Sequence, residues 1–104
     1  MNPTRLLLLS LASVLLATGA NAAHYVIKIE NMKFEPAPHD LKLGDTIEWQ
    51  NEDMFRHSAT AKGQFDVDLN PGEKRTVTIG QTGIVTVTCR YHPNMIVKLT
   101  VGKK

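Results

Sequence analysis

One stretch of the chain concentrates side chains able to hold a soft metal: Cys89-Arg90-Tyr91-His92-Pro93-Asn94-Met95. Cys89 is the only cysteine in 104 residues, His92 follows three positions later, and Met95 three after that. A thiolate, an imidazole and a thioether so close together form a donor set that suits copper. Methionine is a poor ligand for zinc. The trigonal solution uses two histidines and a cysteine, with a weak axial methionine. The stretch therefore lacks one strong donor, which has to come from elsewhere in the chain.

Three other histidines are available: His24, His39 and His57. His24 lies close to the start of the expected mature chain, where chains are usually mobile. His39, in Pro38-His39-Asp40, reads as a solvated loop residue at a strand entry. His57 opens a short strand after a polar loop that carries Met54 and Phe55. A lone histidine is more often structural than a ligand. Beside the Cys-x-x-His-x-x-Met cluster, His57 becomes the preferred second imidazole. The cysteine has a bland reading too, since a buried thiol packs as a small hydrophobe. A single cysteine cannot form an internal disulfide, so in a secreted chain it is either a free thiol or a ligand.

The elements that must position these residues are strands. Tyr25–Ile29, Leu41–Leu43, Thr46–Gln50, His57–Ala61, Lys74–Ile79, Ile84–Cys89 and Met95–Val101 are β-branched, aromatic or alternating, and turn residues separate them. Lys62–Asn70 reads as a loop, anchored by Phe65, Val67 and Leu69. Strand side chains alternate with period two. Val85 and Val87 therefore set the inward face, and Cys89 shares their parity. Val97, Leu99 and Val101 set the inward face of the last strand, and Met95 shares theirs. With Arg90–Asn94 as the whole connection, the two sulfurs belong at one end of the domain. About seven short strands with turns between them predict an all-β, Greek-key antiparallel sandwich, with a closed barrel as the runner-up.

Residues 1–22 have a different character. A short segment bearing Arg5 leads into the apolar run Leu6–Thr18, then Ala20-Asn21-Ala22. That order reads as a secretory signal peptide cleaved after Ala22, leaving one domain over residues 23–104. The run is too short to span a bilayer comfortably as an anchor. A periplasmic protein with no membrane anchor after cleavage, and a monomer, is the expectation. The formal charge of +2 falls to +1 without Arg5, and no basic run suggests nucleic acid. No acid–base pair or open coordination position points to an enzyme.

Several motifs resemble those of the cupredoxins, the small type 1 blue copper proteins. Met32-Lys33-Phe34-Glu35-Pro36 is similar to the family's early segment, and Gly44-Asp45-Thr46-Ile47-Glu48-Trp49 to its third strand. Asn51 followed by His57 resembles the approach to the first copper histidine. Phe65-Asp66 and Leu69-Asn70-Pro71-Gly72-Glu73 resemble the region before the late strands. Cys89, His92 and Met95 match the family's short ligand loop. The resemblance implies one copper ion held by His57 and His92 imidazole nitrogens and the Cys89 thiolate, with Met95 as weak axial ligand. It implies one-electron transfer through His92, which would lie in an apolar surface patch. Its partners would be redox proteins, a periplasmic dehydrogenase and a c-type cytochrome being the classes implied. The alternative is a periplasmic copper carrier or storage module using the same ligands. Three positions depart from the pattern. Arg56 precedes His57 where proline is frequent, Tyr91 precedes His92 where short-loop members carry proline, and Ser58 stands where asparagine is common. Arg56 and Arg90 are expected near the metal, as a solvated rim or as a positive docking surface.

Overall fold

The structure is a computed structural model and describes residues 21–104. Residues 1–20 of the expected leader lie outside the described residues. Among the described residues nine strands form: β1 His24–Glu30, β2 Lys33–Phe34, β3 Leu41–Lys42, β4 Thr46–Asn51, β5 His57–Ala61, β6 Phe65–Leu69, β7 Lys74–Thr78, β8 Gly83–Cys89 and β9 His92–Gly102. They make two sheets, β2-β1-β4-β7 and β3-β9-β8-β5-β6. The chain passes back and forth between the sheets, so both are needed to close one core. This is the expected all-β sandwich, not the barrel. Its pairing is mixed rather than wholly antiparallel, because β1 runs parallel to β4 and β3 parallel to β9.

Alternation decides which side chains enter the core. In β4, Ile47, Trp49 and Asn51 are buried while Thr46, Glu48 and Gln50 are half-covered. In β8 the buried set is Val85, Val87 and Cys89. In β9 it is Met95, Leu99 and Val101, with Val97 half-buried on the same face. Both inferred sulfur parities therefore hold. Trp49 is fully enclosed, with the Phe34 ring edge-on at 5.6 Å and the Phe65 ring tilted at 6.1 Å. Such contacts favour aromatic pairs beyond their area burial.

Two segments outside the seven expected strands are strands. Phe65–Leu69 pairs along its whole length with β5. Its aspartates Asp66 and Asp68 disguised it, since aspartate is depleted in strands. Here both carboxylates point away from the core and find cationic partners. Lys33–Phe34 pairs with the end of β1 through a two-residue turn at Asn31 and Met32, both with positive φ (55° and 61°). That conformation suits a hairpin turn.

The connection from β8 to β9 also differs from the expectation. Cys89 pairs with His92, so the turn is Arg90 and Tyr91 alone. The next pair is Thr88 with Ile96, which leaves Pro93, Asn94 and Met95 as an irregularity in β9. Proline is tolerated there because a bulge needs no ladder donor from it. The irregularity returns Met95 to the buried face while His92 stays opposite Cys89.

Candidate metal centre

The donors come from three strand ends. His57 opens β5, Cys89 closes β8 and His92 opens β9. His57 Nδ1 lies 3.7 Å from Cys89 Sγ, and His92 Nδ1 lies 3.6 Å from it. The three donor atoms lie within 4.8 Å of one another, and among the described residues this is the one such cluster. The two imidazole rings are 4.9 Å apart and tilted by 60°. His57 and Cys89 are buried and His92 is half-buried, so His92 alone of the three reaches the surface. Met95 is buried three residues along β9 from His92. His24 is exposed and bonds Thr46, and His39 is exposed in the β2–β3 loop. Neither joins the cluster.

The spacing fits a bound ion. Bonds as long as those zinc makes, about 2.0–2.1 Å to nitrogen and 2.3 Å to sulfur, would place N and S about 3.7–3.8 Å apart in a trigonal plane. The observed separations of 3.7 and 3.6 Å lie close to that spacing. The donor set is two imidazoles and a thiolate, with a thioether at hand, which is the copper combination.

Each donor is held by its surroundings. His57 Nε2 donates to Asp53 Oδ2 at 2.8 Å, which leaves the Nδ1 lone pair facing Cys89. Asp53 is fixed in turn by the β1–β2 turn, whose Asn31 and Met32 amides donate to its two oxygens at 3.1 and 2.9 Å. Burial opposes the Asp53 charge, but the bonds from His57, Met32 and Asn31 outweigh it and hold its pKa below the usual carboxylate value. The loop itself is pinned by buried Asn51, whose Nδ2 donates to the Phe55 and Leu69 carbonyls at 2.8 and 2.9 Å. Asn51 Oδ1 accepts the Asp53 amide at 2.9 Å. The Ser58 amide donates to Cys89 Sγ at 3.4 Å. Pro93 has no N–H and adds none.

Nothing local in the sequence marks Asp53 or Asp68 as a support, and Asp66 stands out there only through the Phe65-Asp66 resemblance. Asp53 sits four residues before His57 in a stretch that reads as a polar turn, and its partner Met32 is far away in sequence. The arginines, expected as a solvated rim or a positive docking surface, are both exposed and both paired. Arg56 pairs with Asp68, and Arg90 with both Asp66 and Asp68. Two guanidiniums facing two carboxylates leave no excess charge.

No family model matches the chain. Over 92 residues the chain is 30% identical to amicyanin of Paracoccus versutus, covering 82% of this chain and 70% of that protein. The chain belongs to the cupredoxins. The solved amicyanin of the same organism superposes with a TM-score of 0.61 at 26% identity, over 84% of this chain and 85% of that one. The purple cupredoxin of Nitrosopumilus maritimus gives 0.68 at 20% identity, over 75% of this chain and 99% of that one, which speaks to the fold. A copper-containing nitrite reductase from Thermus scotoductus matches with 0.62 at 24% identity, over 86% of this chain but 25% of its own length. That likeness is again one of fold. Cupredoxins hold one copper ion, and His57, Cys89, His92 and Met95 are positioned as a possible site for it.

Proposed function

We propose that this cupredoxin is a periplasmic one-electron carrier, with His57, Cys89 and His92 as strong copper ligands and Met95 as the weak axial one. The observation that carries the reading is the pair of imidazole nitrogens set 3.7 and 3.6 Å from one cysteine sulfur. A copper ion held there supplies reversible one-electron exchange. The protein's part is to keep the donors in place. Asp53 fixes the His57 ring, and the Ser58 amide holds the Cys89 sulfur. Buried His57 and Cys89 exclude water, while half-exposed His92 gives an edge through which a redox partner protein can exchange an electron. A carrier fits better than an enzyme, because the donor atoms face one another rather than a substrate cleft. The periplasmic placement rests on the leader-like character of residues 1–22.

Adding Cu(II) to the protein lacking residues 1–22 tests this. An intense thiolate-to-copper visible band is expected, and Cys89→Ser should abolish it. A colourless wild-type protein would refute the assignment. Rapid copper transfer to an apo acceptor, with slow electron self-exchange, would instead move the function to copper delivery.

A further inference from the structure

The strands that carry His57 and Cys89 are barely joined by backbone. The β5–β8 ladder registers a single pair, Thr60 with Thr88. Beyond it, towards the donor cluster, side chains take over. The Arg90 amide donates to Ser58 Oγ at 2.8 Å, and Ser58 Oγ lies 2.8 Å from Thr60 Oγ1. The Thr60 hydroxyl donates to Asp66 at 2.8 Å. Asp66 also accepts from the Arg90 guanidinium, whose other arm reaches Asp68. Asp68 further accepts from Arg56 at 2.7 Å and from the Tyr91 hydroxyl at 2.8 Å. Both guanidiniums lie over the Tyr91 ring, at 4.9 and 5.2 Å from its centroid.

The whole turn between Cys89 and His92 is Arg90 and Tyr91, so both of its side chains are tied to β6. Exposed ion pairs like these contribute little to global stability. Their position is what matters, since the turn they hold carries a sulfur on one side and an imidazole on the other. We propose that Asp68, aided by Asp66, is a positioning residue for the metal centre. It latches the Arg90–Tyr91 turn onto β6 and so sets Cys89 and His92 against His57 before metal arrives. The consequence for function is retention: a latched turn slows copper escape and favours a resident redox metal over a delivered one. The proposal rests on the copper reading above.

Asp68→Asn tests it, with the exposed Glu35→Gln as a control for charge alone. Two readouts are needed. In the metal-free protein, hydrogen exchange at the Arg90 amide should accelerate in Asp68→Asn and not in Glu35→Gln. In the copper-loaded protein, release to excess chelator should be about tenfold faster or more, the scale expected when a metal ligand loses a supporting partner. The urea midpoint of the metal-free variant should stay near wild type, which separates positioning from a general structural role. Tyr91→Phe removes only the hydroxyl bond to Asp68, and should give a smaller change of the same sign if Asp68→Asn folds poorly. Wild-type exchange and release in Asp68→Asn and in the Asp66→Asn/Asp68→Asn double variant would overturn the latch. A wild-type protein that bound no copper would overturn the functional reading instead, and the exchange readout would still decide the latch.

Discussion

Asp53→Ala strikes the point where the fold grips the His57 ring. The carboxylate accepts three hydrogen bonds, from His57 Nε2 at 2.8 Å, the Met32 amide at 2.9 Å and the Asn31 amide at 3.1 Å. The three are not equivalent. His57 is fully buried, so its N–H would be left without a partner, at a cost of about 1–3 kcal/mol. Asn31 and Met32 lie in an exposed turn, where water replaces the lost acceptor. Each of those bonds is therefore worth only its net value, about 0.5–1.5 kcal/mol. Together the loss is about 2–6 kcal/mol in the metal-free protein, readable by urea unfolding followed by circular dichroism. Copper affinity should fall by about 10- to 100-fold, because the ring is no longer held with Nδ1 towards the sulfur. Asp53→Asn keeps a neutral carbonyl acceptor and should lie between Asp53→Ala and wild type. If Asp53→Ala changed stability by less than about 0.5 kcal/mol, the ordinary scatter of surface substitutions, and left copper affinity unchanged in chelator competition, the carboxylate would have no orienting role.

Two other predictions concern the frame. Leu99→Ala, at a fully buried position of β9 opposite Val85, should destabilise the protein by about 2–5 kcal/mol in the same unfolding assay. The second concerns pH. The Arg90 bond holds the Asp66 pKa below the ordinary 3.8, and the Tyr91 hydroxyl, with Arg56 and Arg90, does the same for Asp68. A carboxyl with a depressed folded pKa stabilises the fold fully above its unfolded value and loses that contribution as pH falls through the folded value. The stability difference between wild type and the Asp66→Asn/Asp68→Asn variant, small because these pairs are exposed, should therefore be constant from neutral pH down towards pH 4. It should close below about 3.8, the ordinary carboxylate value, when unfolding is measured across that range.

The donors were legible because two independent patterns converge on them. Soft-ligand chemistry marked Cys89, His92 and Met95, and strand parity turned both sulfurs inward without knowledge of any partner strand. His57 was recoverable because the remaining histidines sit in exposed positions. What supports these donors was much harder to read. The turn seemed five residues long because Pro93 suggests a loop, yet the strand resumes at His92 and the proline falls in an irregularity where no N–H is needed. The strand β6 was hidden by Asp66 and Asp68, whose charges make sense only beside arginines that precede and follow them by many residues. Asp53 carries no local sign of its role, since one of its partners is a turn more than twenty residues away. Ligands announce themselves by type and spacing. The groups that orient them are ordinary residues made special by long-range register.

That register gives Ser58 a place in both supports. Its amide donates to the Cys89 sulfur, and its hydroxyl oxygen receives the next amide, that of Arg90. One residue therefore replaces the ladder that β5 and β8 lack beyond Thr60 and Thr88. On one side of Ser58, the chain runs through His57 to Asp53 and the β1–β2 turn. On the other, the hydroxyl leads through Thr60 to Asp66 and the latched turn. The two imidazoles are thus held by separate supports, His57 by Asp53 and the β1–β2 turn, and His92 by the turn tied to β6. Disturbing the first should act on the buried His57 ring, and disturbing the second on the turn that carries the half-buried His92 ring. Asp53 variants and Asp68 variants should consequently differ in kind. The first should weaken equilibrium affinity together with fold stability, and the second should speed copper release while leaving the fold nearly intact.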